Sequence, residues 1–376
     1  MSSLLLRLLS RLQPLHEAMT PAERVAVYRF RYSIYGKELR REYAGVDHAA
    51  GTLSQPEDER PETRIFYTGS QRAVTGTGRI RVWSPGALPK EIIEELSLDR
   101  VPGIERLKLA YLERVMVRPT RRGQLLLPSI LWHGYGQLAR AGVDVAVLTC
   151  VPGLLRHYLR LGARPYGARL IEGASSAEVP LFLNLSDAAH FDKTRSPIAP
   201  LLRAHFGPGK RAPLDPAPFT ELLNPARQPF VFDPAEIVAR LAQRPAMLAG
   251  VSAAALRQIA RGAYLLECAE GDLIVRQGTA EREMYIVLRG ETEVSVAGVA
   301  VGRIGAGEPF GEVGLLATPG VRTATVRAVA KGQLLVLRRR FLDDLAKRHP
   351  RDAFLVTRNL ARLVADRFTA LRNGRG

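Results

Sequence analysis

Two stretches of this chain bring charged side chains and open backbone together in a way suited to holding a phosphate. In the last third, Phe310-Gly311-Glu312-Val313-Gly314-Leu315-Leu316 is followed by Val321-Arg322-Thr323-Ala324-Thr325-Val326. A guanidinium fork such as that of Arg322 meets two oxygens of one anion with charge-assisted hydrogen bonds. A short helix opening near Gly311 and Glu312 would aim free backbone N–H groups at the same anion. In the first half, Val117-Arg118-Pro119-Thr120-Arg121-Arg122-Gly123-Gln124 follows an apolar strand over residues 107–117 and precedes a helix through Ser129, Leu131, Leu138 and Ala139. The N–H groups of Arg122, Gly123 and Gln124, at the opening of that helix, make a second phosphate cradle, with Arg121 beside it.

The elements around these stretches divide the chain in two. At 376 residues it is long enough for two domains, each with its own core. From His205 to Pro229 the chain carries six prolines and little periodicity, which predicts a semi-rigid linker. Residues 1–204 read as alternating helices and strands. Residues 230–376 read as a short helical stretch through Ile237, Leu241, Met247 and Leu248, then many short strands, then a final helical region. The β-rich runs Leu273–Val275, Met284–Leu288 and Thr292–Val296 are separated by Gly271, Gly278, Gly290 and Gly298, the pattern of a barrel or jelly roll. The expected class is α+β: a mixed sheet with flanking helices, then a β jelly roll with a helical lid.

The run EGDLIVRQGTAEREMYIVLRGETEVSV and the segment around Gly311, Glu312 and Arg322 resemble the cyclic-nucleotide-binding domain family and its phosphate-binding cassette. A cyclic phosphate is a compact monoanion with two free oxygens, which suits the guanidinium fork. The resemblance implies that Glu312 accepts a hydrogen bond from the ribose 2′-hydroxyl. Thr318-Pro319-Gly320-Val321 makes the loop before Arg322 one residue longer than the commonest form. Thr323 offers a hydroxyl that, by resemblance, can reach a guanine amino group, yet bacterial members that bind cyclic AMP also carry a hydroxyl there. Cyclic AMP is the expected ligand and cyclic GMP the alternative. The apolar residues Phe341, Leu345, Phe354, Leu360 and Phe368 fit helices that, by resemblance, close over the base.

In residues 20–200 the strand, basic loop, helix, strand, helix order resembles the GNAT acyltransferase superfamily. Three runs, Tyr28–Glu38, Thr75–Arg81 and Pro180–Leu185 with Ser196-Pro197 beyond, point to its acyl-homoserine-lactone synthase and N-acyl amino acid synthase branch. That resemblance implies attack of an amine acceptor on a thioester, with acyl-coenzyme A or an acyl carrier protein as donor. It matches Arg31 and Arg79 to substrate-binding arginines, for which a surface salt bridge is the competing reading. It matches Tyr158 to the acid that protonates the leaving thiolate, for which simple packing is the competing reading. Glu113 is the candidate base, acting directly or through a water. Leu125 and Leu127 depart from the superfamily pattern, where a glycine and a small residue let coenzyme A approach; this favours a carrier-protein donor and leaves room for an inactive enzyme.

Strand alternation puts Tyr111, Glu113 and Val115 on one face and Arg114 on the other, so at most one of Glu113 and Arg114 should reach a cleft. Asp58 and Glu59, in a Pro-bounded charged stretch, read as a solvated loop. His133, His157 and His190 are isolated and read as structural.

Composition excludes some classes. The net charge of +17 comes from arginines spread along the chain, a solvated basic surface that also steers anionic ligands. No apolar run approaches the ~20 residues of a membrane span. The opening Leu4–Leu9 is split by Arg7 and lacks a cleavage site, so it reads as an amphipathic helix rather than a signal. Two distant cysteines, Cys150 and Cys268, support neither a disulfide framework nor a metal site, and a cytoplasmic setting is expected. No room for a helix-turn-helix is expected after the lid, so DNA is not an expected partner. The combined expectation is an N-acyltransferase gated by a cyclic nucleotide. A cyclic-AMP-regulated protein lysine acetyltransferase and a non-catalytic sensor are the alternatives.

Overall fold

The structure is a computed structural model that describes residues 10–40, 43–119, 121–167, 170–173, 177–207, 209–224, 228–241, 245–280, 283–313, 320–338 and 340–373; the side chains of 121–126, 128, 177 and 370–373 are not described. The chain divides into two compact units, Met1–Ala174 with Glu178–Arg227, and Ser175–Ala177 with Gln228–Gly376.

The first unit opens with helix α1 (Pro21–Tyr32), started by a capping box in which Thr20 and Glu23 satisfy each other's backbone N–H groups, with proline at its first position. A π-helical turn, Ser33–Glu38, continues it. The eight-stranded sheet comprises β1 (Leu15–Glu17), β2 (Thr63–Ser70), β3 (Ala73–Trp83), β4 (Leu109–Val117), β5 (Val145–Cys150), β6 (Arg164–Pro165) and β7 (Ala177–Asn184), in the order β1-β2-β3-β4-β5-β7-β6, with Ile171–Glu172 pairing on β7. The described ladders are antiparallel except one: β4 and β5 run parallel. Their pairing stops at Leu112↔Leu148 although both strands continue, so the sheet opens there. Helices α2 (Lys90–Glu95), α3 (Arg121–Arg140) and α4 (Leu155–Leu161) follow β3, β4 and β5 respectively.

Between β3 and β4 the register slips: Thr77 faces Met116 while Arg79 faces Glu113. One extra residue therefore sits in β4, a bulge, and within it Arg114 takes φ 53°. Alternation fails at that point, which overturns the expectation that Glu113 and Arg114 diverge.

The proline-rich stretch expected as a linker packs on the first unit over most of its length. Phe219 and Leu223 are buried in a core with Trp83, Tyr111, Val147 and Phe182, and Arg211 donates to the Val143 carbonyl and pairs with Asp144. Prolines removed its regular structure but not its apolar anchors. The division falls between Arg227 and Gln228.

The second unit has two sheets. The five-stranded one contains β8 (Phe230–Val231), β9 (Tyr264–Cys268), β11 (Glu283–Arg289), β14 (Pro309–Phe310) and β16 (Gly332–Arg338), in the order β8-β9-β16-β11-β14. The four-stranded one contains β10 (Leu273–Val275), β12 (Thr292–Val296), β13 (Val299–Ile304) and β15 (Thr325–Ala328), in the order β10-β15-β12-β13. Alternation sorts the residues of β11 and β16. Met284, Ile286, Leu335 and Leu337 join a core with α7 (Pro234–Arg240), α8 (Ala253–Gly262), α9 (Phe341–Arg348) and α10 (Pro350–Asn373). Tyr285 and Val336, a cross-strand pair, therefore face the opposite side, where Tyr285 stacks on Phe310 with ring centroids 4.9 Å apart. This is a barrel-like β unit flanked by helices, as expected. No helix among the described residues is long and apolar enough to cross a membrane.

Candidate functional site

In the second unit, β14 ends at Phe310 and the chain turns at Gly311 with φ 79°. The turn requires glycine twice over. The dihedral is left-handed, and a Cβ there would lie 2.6 Å from Arg322 Nη1 and 3.1 Å from the Glu283 carbonyl oxygen. Arg322 is 2 % exposed. Its Nη1 donates to the Gly311 carbonyl at 3.0 Å and its Nη2 to the Glu283 carbonyl at 2.7 Å, and its guanidinium lies 5.9 Å from the Tyr285 ring centroid. Its backbone is fixed too, giving to Thr279 and accepting from Gly278. The buried Nε has no partner. A charge taken out of water with a donor unmet is costly, and an anion arriving at that edge removes the cost.

Glu312, 9 % exposed, accepts a long hydrogen bond of 3.4 Å from Arg367 Nη1 on α10, while Arg367 Nη2 donates to the Pro309 carbonyl at 2.7 Å. The structure thus brings Gly311, Glu312 and Arg322 together, as the sequence suggested. Thr323 follows Arg322 and is exposed. Residues 314–319, which include Thr318 and Pro319 of the extended loop, lie outside the described residues.

In the first unit, Arg31, Arg79 and Glu113 also converge, and neither arginine is on the surface. Arg31 is fully buried and Arg79 is 1 % exposed, which removes the surface-salt-bridge reading. What joins them is Asp58, expected as part of a solvated loop and found at 0 % exposure. Arg31 Nη1 reaches both Asp58 oxygens at 2.9 Å, and Arg79 Nη1 reaches one at 3.2 Å. Arg79 Nη2 then pairs with Glu113 at 2.8 Å, and Arg81 Nε holds the other Glu113 oxygen at 2.7 Å. Burial pushes the Asp58 carboxyl up, but Arg31 and then Arg79 outweigh it and hold the group below its ordinary value. Glu59, next along, does stay in solvent, paired with Arg24. The sequence signal for Asp58 was available in its capping position: its side chain accepts from the Gln55 backbone N–H and closes the turn that buries it.

The bulge brings Arg114 to the same cluster. Its Nε donates to Gln55 Oε1 at 2.8 Å and its guanidinium lies 4.2 Å from the Tyr43 ring centroid. On the neighbouring strands, Thr149 donates to Glu178 just past the last β4–β5 pair. Burial, then Glu113, Glu95 and Glu178, raise the Tyr111 phenol well above its ordinary value. Burial and then Glu113 also raise the Glu95 carboxyl. Sequence reasoning named none of Asp58, Glu95, Tyr111, Arg114 or Glu178 as site residues.

Tyr158 is buried on α4 at 5 % exposure. Burial, then neighbouring Cys150 and Tyr135, push its hydroxyl far up, so the phenol keeps its proton across the physiological range. The helix expected after the basic loop begins at Arg121; the side chains of Arg121, Arg122 and Gln124, and the local setting of Gly123, are outside the description. His133 and His190 each contact a backbone carbonyl, those of Ser10 and Gly162, which agrees with structural roles. Both cysteines are buried and unpaired.

Comparison with known proteins bears on the second unit. Residues 265–349 match the family model described as "Cyclic nucleotide-binding domain", and this part of the chain is such a domain. The cGMP-dependent protein kinase, isozyme 1, of Drosophila melanogaster is 28 % identical over 99 residues, which span 26 % of this chain and 13 % of the kinase. Among solved structures, the Thermus thermophilus catabolite activator protein is 28 % identical, with 34 % of this chain and 61 % of that one covered and a TM-score of 0.30. A cyclic nucleotide-binding domain from Methylobacillus flagellatus is 22 % identical, with 36 % and 79 % covered and a TM-score of 0.32.

Proposed function

We propose that this protein is an N-acyltransferase whose activity is set by a cyclic nucleotide. The ligand, cyclic AMP or cyclic GMP, occupies the Arg322–Glu312 site. The observation that carries the sensor half is the buried Arg322, fixed by the carbonyls of Glu283 and of Gly311, the neighbour of Glu312, and left with Nε unmet. Arg322 takes the phosphate, and Glu312 takes the ribose 2′-hydroxyl.

The catalytic half is supported by the order β1-β2-β3-β4-β5-β7-β6, with one parallel pair that parts after Leu112 and Leu148 and a helix opening four residues beyond β4. That arrangement suits GNAT-type acyl transfer. The donor's phosphates rest on the backbone at Arg122 to Gln124, and its thioester enters where the strands separate. The donor is an acyl-carrier-protein or coenzyme A thioester, and the acceptor is an amine. Arg31 and Arg79 are buried; Arg31 holds Asp58 and Arg79 holds both Asp58 and Glu113, so their role is to fix the acids rather than to meet solvent-borne substrate. Both Glu113 oxygens engage arginines, so it takes the ammonium proton through a water; Glu95, raised by burial and exposed at its edge, is a second acceptor for that proton. Tyr158 supplies a proton to the leaving thiolate.

Turning such an enzyme from mostly off to mostly on needs roughly 5 kcal/mol of differential affinity, and a tenfold change only about 1.4 kcal/mol. The test is mass analysis of amine products formed from acyl-coenzyme A and acyl-carrier-protein donors, with and without each cyclic nucleotide. A lipid amide whose yield follows the nucleotide supports the proposal. An acetylated protein points to a lysine acetyltransferase. No turnover with any donor leaves a sensor whose acyltransferase unit is inactive, the outcome that Leu125 and Leu127 in the cradle would explain.

A further inference from the structure

Arg338 ends β16, the central strand beside β11, directly across from Glu283. Leu335 and Leu337 point into the helical core, so alternation sends the Arg338 side chain to the other side. That is the side of Tyr285, whose ring centroid lies 5.9 Å from the Arg322 guanidinium. Arg322 Nη2 in turn hydrogen-bonds the carbonyl of Glu283. The two arginines therefore border the same residue, Arg338 from β16 and Arg322 from the loop before β15. Arg338 is half-buried, and its Nε and Nη2 are enclosed without a hydrogen-bond partner, as is Arg322 Nε. Among the described residues neither guanidinium has an ion-pair partner. Two enclosed like charges with unmet donors on one side of a β unit raise the free energy of the empty state. A single anion answers both.

We propose that Arg338 is a second phosphate-binding residue of the nucleotide site, an inference that rests on the sensor reading above. Arg322, its Nη groups anchored to backbone, presents its edge to one free oxygen of the cyclic phosphate. Arg338 swings its Nε and Nη2 to the other. Because the contact is to phosphate, it is blind to the base.

Calorimetry on the full chain with cyclic AMP and cyclic GMP tests this, using Arg338→Gln and Arg338→Lys. Arg338→Gln should weaken both ligands by about tenfold, equivalent to about 1.4 kcal/mol, and by the same factor for each. Arg338→Lys, which keeps the charge and loses the fork, should lose less. Raising salt should cost the wild type more affinity than Arg338→Gln. Affinity within twofold of wild type in Arg338→Gln, or a loss confined to one base, overturns the assignment. If the Gln variant does not fold, the Lys variant decides: unchanged affinity and unchanged salt response overturn it. A wild-type chain that binds neither nucleotide fails the sensor reading itself, and a wild type that binds while Arg338→Gln binds equally well fails only this inference.

Discussion

The two units handle buried arginines in opposite ways. In the first, Asp58 and Glu113 hold Arg31, Arg79 and Arg81 through side-chain ion pairs, although Arg31 Nε and Nη2 stay unmet. In the second, Arg322 is held by carbonyl oxygens, which orient a guanidinium without cancelling its charge. Where the fold itself supplies carboxylates to buried guanidiniums, an incoming anion has less to add. A guanidinium oriented but not neutralised is a binding site. The contrast teaches that burial of charge does not by itself mark a ligand site; what matters is whether the counter-charge is part of the fold.

Substitutions can break that contrast, and the largest effect belongs to the carboxylate-paired network. Asp58→Ala leaves Arg31 buried without its carboxylate and should destabilise the first unit by about 3–5 kcal/mol, read from its denaturant midpoint; a change below 1 kcal/mol would show that water already shares the charge. Arg322→Ala should instead leave folding nearly intact and weaken nucleotide binding by roughly 100-fold or more, measured by calorimetry, and unchanged binding would mean the cassette is misassigned. Gly311→Ala forces a Cβ toward Arg322 at a left-handed dihedral, which should cost about 1–2 kcal/mol and reduce affinity together with stability. Acid sharpens the comparison further. Asp58 is held below its ordinary value, so its contribution is complete above about pH 4 and is lost as pH falls through its lower folded value. The first unit's midpoint should fall over that range, with Asp58→Asn removing this component. The smallest effect is expected from Glu312→Gln, a loss of about 1 kcal/mol for cyclic AMP and none for its 2′-deoxy form, checked by comparing the two ligands.

The same contrast explains what the sequence disclosed. The nucleotide site is nearly contiguous: Gly311, Glu312 and Arg322 lie within twelve positions between β14 and β15, so spacing carried the geometry. The charge network draws on positions 31, 58, 79 and 113, and its members meet only after α1, the turn at 56–59, β3 and β4 have packed. Arg31 and Arg79 were legible as candidates, but Asp58 looked like any acid in a polar loop because its burial comes from the turn it caps. Arg114 was hidden by the bulge, which no periodicity rule anticipates. The barrel, with glycine-marked strands of even spacing, was readable in outline. The segment after residue 205 was misjudged as linker because proline content describes backbone, whereas Phe219 and Leu223 determined where it went.

One contact has a wider consequence. The carboxylate of Glu312 is engaged by Arg367, a side chain fifty-five positions further along on the terminal helix. Any displacement of Arg367 by a bound ribose is one arm of a thermodynamic cycle, and the opposite arm is the affinity change when that arginine is removed. Reciprocity makes the two equal, so ligand titrations of Arg367→Ala measure how much of the binding free energy is transmitted to the chain's end, with no need to observe the helix move.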